Sequence, residues 1–160
     1  MIVPDVNLLI YAYAADSPYH EKASTWWAEC LSGAEPVGLA PAVVFGFVRV
    51  GTSARVFHDP MTVAEAAAHV ASWLERPAAQ VLDTGASHIT QVIALVTHAG
   101  TAGALVTDAQ IAAHALEHDA IVHTTDADFL RFPGLRWLNP LTGAGGRNRP
   151  IAVEGIVDDP

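Results

Sequence analysis

Short apolar runs and longer helix-patterned stretches alternate along this chain as far as residue 138, and that alternation limits the fold more than any single motif does. "MIV" before Asp5, "VGLA", "AQVL", "AIVHTT" and "RWL" have the length and composition of strands. Between them lie "NLLIYAYA", "YHEKASTWWAECL", "PAVVFGFVRVGTS", the stretch from Thr62 to about Glu75, "SHITQVIALVTHA" and "DAQIAAHALEH", all of helical length. The end signals agree. Ser17 ahead of Pro18 reads as an N-cap with proline at the first helical position, Thr62 with Glu65 reads as a capping box, and Gly33, Pro77 and Gly100 read as stops. The order βαβαβαβ implies the α/β class: a mostly parallel central sheet with helices on both faces. Pro4 is the weak point of the first strand, because it cannot donate to a ladder.

The 160 residues suffice for one core and are too few for two comfortable domains. From Asn139 onward "NPLTGAGGRNRP" has no hydrophobic period, so the expectation is a single domain over 1–140 and a flexible tail over 141–160, with Arg147 and Arg149 solvated. No apolar stretch reaches the roughly 18 residues of a membrane span, and no basic region precedes an apolar run at the N-terminus. With a single cysteine, Cys30, ruling out an internal disulfide, the expected location is cytoplasmic, with no membrane attachment. A net charge of -9 and a single lysine, Lys22, argue against a protein that grips nucleic acid through a basic face. A polyanionic partner would have to be met by metal ions held on clustered carboxylates, helped by a few arginines.

Such a cluster can be assembled from the pattern. In an open parallel sheet, ligands sit in the crevice beyond the carboxyl ends of the strands. Asp5 ends the first strand, and "HTTDADF" at 123 to 129 puts Asp126 at the end of another, with Asp128 just beyond it. Asp108 opens a helix whose apolar arc is Ile111, Ala112, Ala115 and Leu116, and at 100° per residue it falls inside that arc, facing the sheet. Three acids from distant parts of the chain therefore converge, with Asp128 as candidate fourth. Their mutual repulsion and desolvation call for a cation. Oxygen ligands select a hard ion, Mg²⁺ or Mn²⁺, and such ions in pairs clamp the attacking and leaving oxygens of a displacement at phosphorus. That is nuclease chemistry. Singly, each acid also has a plainer role: Asp5 with Asn7 as a strand-end turn, Asp108 as a helix N-cap, Asp126 with Asp128 as an Asx turn anchored by Phe129.

"DVNLLIYA", "LVTDAQIAAHALEHDAIVHTTDADF" and "RFPGLRWLNP" resemble the PIN domain, specifically the VapC-type toxins of bacterial toxin–antitoxin pairs, over nearly the whole chain up to about Pro140. The resemblance implies a Mg²⁺- or Mn²⁺-dependent endoribonuclease, usually a homodimer, held inactive by a cognate VapB-type antitoxin whose C-terminal segment fills the active-site groove. By motif, Asp5, Asp108 and Asp126 would be the metal ligands and Asp128 an auxiliary acid, with Asn7 and Thr124 as polar neighbours that hydrogen-bond them. One departure stands out. The family usually carries a glutamate three residues before an arginine in the helix after the second strand, and "VVFGFVRV" has Gly46 there. Arg49 remains, either as a phosphate contact or as an ordinary surface arginine. Fewer carboxylates imply weaker metal binding, and Gly46→Glu is expected to be tolerated by the helix and to tighten it.

Two other classes of function compete. A catalytically weak or inactive PIN-fold binding module follows if Gly46 is not compensated. "HALEH" at 114 to 118 fits the inverted zinc-peptidase pattern, with His114 and His118 as ligands and Glu117 as base, but it supplies no distal third ligand and leaves the aspartates unexplained. As for assembly, "PAVVFGFVRV" is apolar almost all round, and Trp26 and Trp27 are expected to divide between core and interface, which points to a homodimer.

Overall fold

The computed structural model describes residues 1–150. Its sheet has the order β3-β2-β1-β4-β5-β6. The strands are β1 (Ile2–Pro4), β2 (Val37–Leu39), β3 (Ala79–Val81), β4 (Ile121–His123), β5 (Arg136–Leu138) and β6 (Gly145–Arg147). The first five run parallel, in registers such as Val3↔Val122 and Val37↔Ala79, and only β6 returns antiparallel to β5. The α/β expectation holds. Pro4 is accommodated because the register between β1 and β2 is confined to Ile2↔Val37. Ile2 N–H donates to Pro36 on that side, and the next residue facing the same way would be Pro4; Asp5 N–H turns instead to the His123 carbonyl.

Six helices are described: α1 (Val6–Tyr13), α2 (His20–Ser32), α3 (Pro41–Gly51), α4 (Val63–Leu74), α5 (Ala86–Ala99) and α6 (Leu105–Glu117). The capping box of Thr62 and Glu65 forms at the start of α4, and α5 stops at Gly100, whose φ of 69° suits a residue without a Cβ. Ser17 caps nothing: its hydroxyl accepts the Tyr19 N–H in a turn, and α2 begins only at His20. The helix carrying Asp108 starts earlier than the sequence suggests, at Leu105.

The remaining differences arise from partners that local pattern cannot show. The segment read as a tail from residue 141 contains β6, which satisfies the outer edge of β5, and Asn148 Nδ2 donates to the Phe129 and Phe132 carbonyls. The expected flexibility at 151–160 lies outside the described residues. Trp26 and Trp27 are both buried, so neither supplies an interface. Helix α2 is gripped on two sides: Trp26 Nε1 donates to His123 Nδ1 at 3.0 Å, while the Trp27 ring meets Trp73 edge-on at 5.5 Å.

Candidate active site

The carboxyl ends of β1 and β4 are neighbours, so the residues just past each strand are brought to one place. Asp5 comes directly after β1, and Asp126 comes after β4 by a short turn. Asp108 descends from the first turn of α6, which packs on both strands. All three line a cleft of about 570 Å³ together with Asn7, Asp128 and, from the opposite wall on α3, Phe45, Gly46 and Arg49.

Thr124 ties the floor together. Its hydroxyl donates to Asp5 Oδ2 at 2.8 Å and accepts the Asp126 N–H at 2.8 Å, which fixes two acids from opposite ends of the chain against each other. Asp126 Oδ1 in turn accepts the Asp128 N–H at 2.9 Å, opening the 3-10 turn Ala127–Arg131, with Phe129 fully buried beneath it. The Asx-turn reading of this pair is therefore correct, and it leaves the other Asp126 oxygen for the cleft. The capping reading of Asp108 is not: the N-cap residue of α6 is Ala104, so capping does not account for this carboxyl. Asp128 is exposed, with Arg131 Nη1 3.6 Å from its Oδ1.

Electrostatics mark the cluster as strained. Burial pushes the Asp5 carboxyl up to about 6, with Asp126 adding to the rise and the Thr124 hydroxyl opposing it. Asp108 is pushed up to about 7, first by desolvation and then by Asp5, Asp126 and Asp128. Near neutral pH the site thus holds carboxyls reluctant to ionise side by side, with no cation among the described residues paired to Asp5, Asp108 or Asp126. An all-oxygen donor set in this state fits a hard divalent ion.

Two cleft features escape the sequence pattern. Phe45 is 71% exposed at the rim, and only the docking of α3 against α1 and α6 makes it a wall. Gly46 is at the cleft as the resemblance implied, but a Cβ there would come within 2.7 Å of Val6 Cγ2. The expectation that α3 simply tolerates Gly46→Glu is therefore overturned by the close approach of α1. The peptidase triad is also corrected. His114 is buried, His118 is exposed, and Glu117 turns to His88 of α5.

The PIN domain family model matches residues 2–135. The chain belongs to the PIN-domain family. Among PIN proteins it is similar to the Mycobacterium tuberculosis protein named Ribonuclease VapC33, with 43% identity over 141 residues, 88% of this chain and 99% of that one. This makes it a VapC-type PIN ribonuclease. Solved structures share the fold at lower identity. Mycobacterium tuberculosis VapC20, described as a sarcin-ricin loop cleaving toxin, superposes with a TM-score of 0.62 at 21% identity, over 81% of this chain and 92% of that one. VapBC-1 from nontypeable Haemophilus influenzae gives 0.61 at 18% identity, over 88% and 98%. No helix among the described residues is long and apolar enough to cross a membrane.

Proposed function

We propose that this PIN domain is the toxin of a toxin–antitoxin pair and cleaves RNA in the cleft between α3 and α6, with Asp5, Asp108 and Asp126 holding Mg²⁺ or Mn²⁺ and Asp128 assisting. The observation that carries the reading is the half-buried carboxyl of Asp108, raised to about 7 among three other acids and not used as a helix cap. A bound divalent ion would supply charge neutralisation and Lewis-acid stabilisation at phosphorus. The rest falls to the chain itself. Thr124 orients the Asp5 carboxylate and accepts the backbone N–H of Asp126, whose own carboxylate is held by the Asp128 N–H, so both acids are directed before substrate arrives. Asn7 offers an amide at the cleft floor, and Arg49, exposed on the opposite wall, can meet a backbone phosphate. The exposed ring of Phe45 offers a face on which an unpaired base can stack, which favours single-stranded RNA over a duplex. Asp128, exposed at the cleft, is placed to exchange a proton with solvent.

A VapB-type antitoxin is the expected partner. Its support is the likeness to VapC-type relatives and a cleft whose acid floor and apolar rim complement a segment carrying both cations and apolar side chains. Homodimerisation is supported by Ile89 and Ile93, one turn apart on α5 and each 58% exposed, rather than by the tryptophans. The single buried cysteine suits a cytoplasmic setting. An inactive binding module is not favoured, since the loss at Gly46 leaves the other acids of the cleft in place.

The test is cleavage of a panel of structured RNAs with Mg²⁺ or Mn²⁺. Activity should vanish with EDTA and fall by at least about 100-fold in Asp5→Asn, as expected when a charge-stabilising group is removed. Undiminished cleavage by Asp5→Asn would rule the site assignment out.

A further inference from the structure

At the end of α6 away from Asp108, where the start of α5 packs against it, two buried histidines meet a glutamate at the surface. His88 Nδ1 lies 3.0 Å from Glu117 Oε2, and His114 Nδ1 lies 3.6 Å from the same oxygen. The three donor atoms all fall within 4.8 Å of one another. The two imidazoles stack with centroids 3.8 Å apart, and both side chains are almost wholly buried. Glu117 hydrogen-bonds only one of them, His88. His114 Nδ1 and His88 Nε2 are buried without a hydrogen-bond partner among the described residues, and 3.6 Å is too long for His114 to reach Glu117.

These distances have a simple reading. In a tetrahedral site with bonds of about 2.0–2.1 Å, neighbouring donors stand roughly 3.3 Å apart, which falls between the two separations from the shared Glu117 oxygen, and the two imidazoles, stacked with centroids 3.8 Å apart, would splay for both in-plane lone pairs to meet the ion. Two nitrogens and one oxygen form a borderline donor set suited to zinc rather than to magnesium. We propose that His88, His114 and Glu117 bind a zinc-class transition-metal ion that clips α5 to α6. A fourth ligand would be water, reaching the ion past Glu117, whose side chain is 22% exposed. The buried histidines leave no room for a substrate, so the role is structural. The clip closes the chain between residues 88 and 114 and so restrains α6, the helix whose other end carries Asp108. The pattern "HALEH" contained two of the ligands; the third, His88, comes from another helix.

Divalent ions will also enter the acid cleft, so the experiment is done on the full chain carrying Asp108→Asn, stripped with chelator. Added Co²⁺ should give the strong visible absorption of four-coordination, and Zn²⁺ should displace it at about one equivalent. At a hundredfold excess over Kd, Zn²⁺ should raise the melting temperature by roughly 5 to 10 °C. His114 is deep enough that its replacement could unfold the chain, so His88→Gln and Glu117→Gln carry the test, with folding checked by near-ultraviolet circular dichroism of the tryptophans. Each should abolish the intense Co²⁺ bands and at least halve the Zn²⁺ shift while Mn²⁺ binding in the Asp108 parent persists. Absence of intense bands in the Asp108→Asn protein, or bands and shift unchanged in the two folded variants, would overturn the proposal.

Discussion

At the scale of single residues, Gly46 shows how a substitution judged neutral on helix propensity can be decided by one neighbour. The sequence places a glycine where the PIN resemblance implies a carboxylate, and glutamate is the better helix former by somewhat under 1 kcal/mol. The structure sets against this a Val6 methyl 2.7 Å from where the new Cβ would stand, on a β-branched side chain that is itself buried and has few rotamers to retreat into. Overpacking costs about 1–3 kcal/mol, so the clash outweighs propensity. Gly46→Glu and Gly46→Ala should both lower stability in urea by about that amount, and Val6→Ala should rescue each. If Gly46→Glu proves as stable as the parent while Val6→Ala adds nothing, α1 and α3 are further apart than described.

At the scale of elements, the sequence revealed those whose signal is local. The capping box of α4, the glycine stop of α5 and the five parallel strands depend on residues within a few positions of one another. Asp5 and Asp126 were legible for a related reason: an acid just past a strand lands in the crevice wherever that strand sits in the sheet. Elements defined by a distant partner were not legible. Strand β6 is built on "GGR", with no hydrophobic period, and exists because β5 offers an unpaired edge. Phe45 becomes a cleft wall, and His88 a partner of Glu117, only after helices far apart in sequence have packed. The β6 segment has a consequence for the site. Asn148 ties it to the Phe129 carbonyl within the turn Ala127–Arg131 at 2.8 Å and to the Phe132 carbonyl just after that turn at 2.7 Å, and Asp126 caps the turn's start. Asn148→Ala should therefore cost about 1–3 kcal/mol and quicken amide exchange at residues 127–132. Exchange there equal to that of the parent would show that the strand is an ornament on the edge rather than a brace for the turn.

At the scale of the whole molecule, the buried titratable groups pull stability in opposite directions as pH changes. Asp5 and Asp108 have folded-state values of about 6 and about 7, above the usual 3.8, so between pH 4 and 7 the folded chain binds more protons than the unfolded one. Stability from these two groups falls as pH rises through that window. His114 and His123 are lowered from 6.5 to about 4, chiefly by burial, so between pH 4 and 6.5 the folded chain binds fewer protons and stability rises with pH. Two groups oppose two, and these four leave the metal-free protein a nearly flat profile from pH 4 to 7, because the unfolded-state histidines lose protons over the same range in which Asp5 and Asp108 ionise. Replacing an acid unmasks the histidines. Asp5→Asn should gain on the parent by up to about 3 kcal/mol between pH 4 and pH 7.5, the full worth of a two-unit shift at a buried carboxyl. Asp108→Asn should gain less, because its carboxyl is half exposed and screened by water. Millimolar Mg²⁺ at pH 7.5 should close the gap by stabilising the parent alone, since the ion relieves the repulsion that the substitutions remove. Urea midpoints measured in EDTA and in Mg²⁺ across this range check every part of the argument. A variant that tracks the parent at all pH values would mean that Asp5 and Asp108 are not held above their ordinary range, and that the cleft needs no cation to settle it.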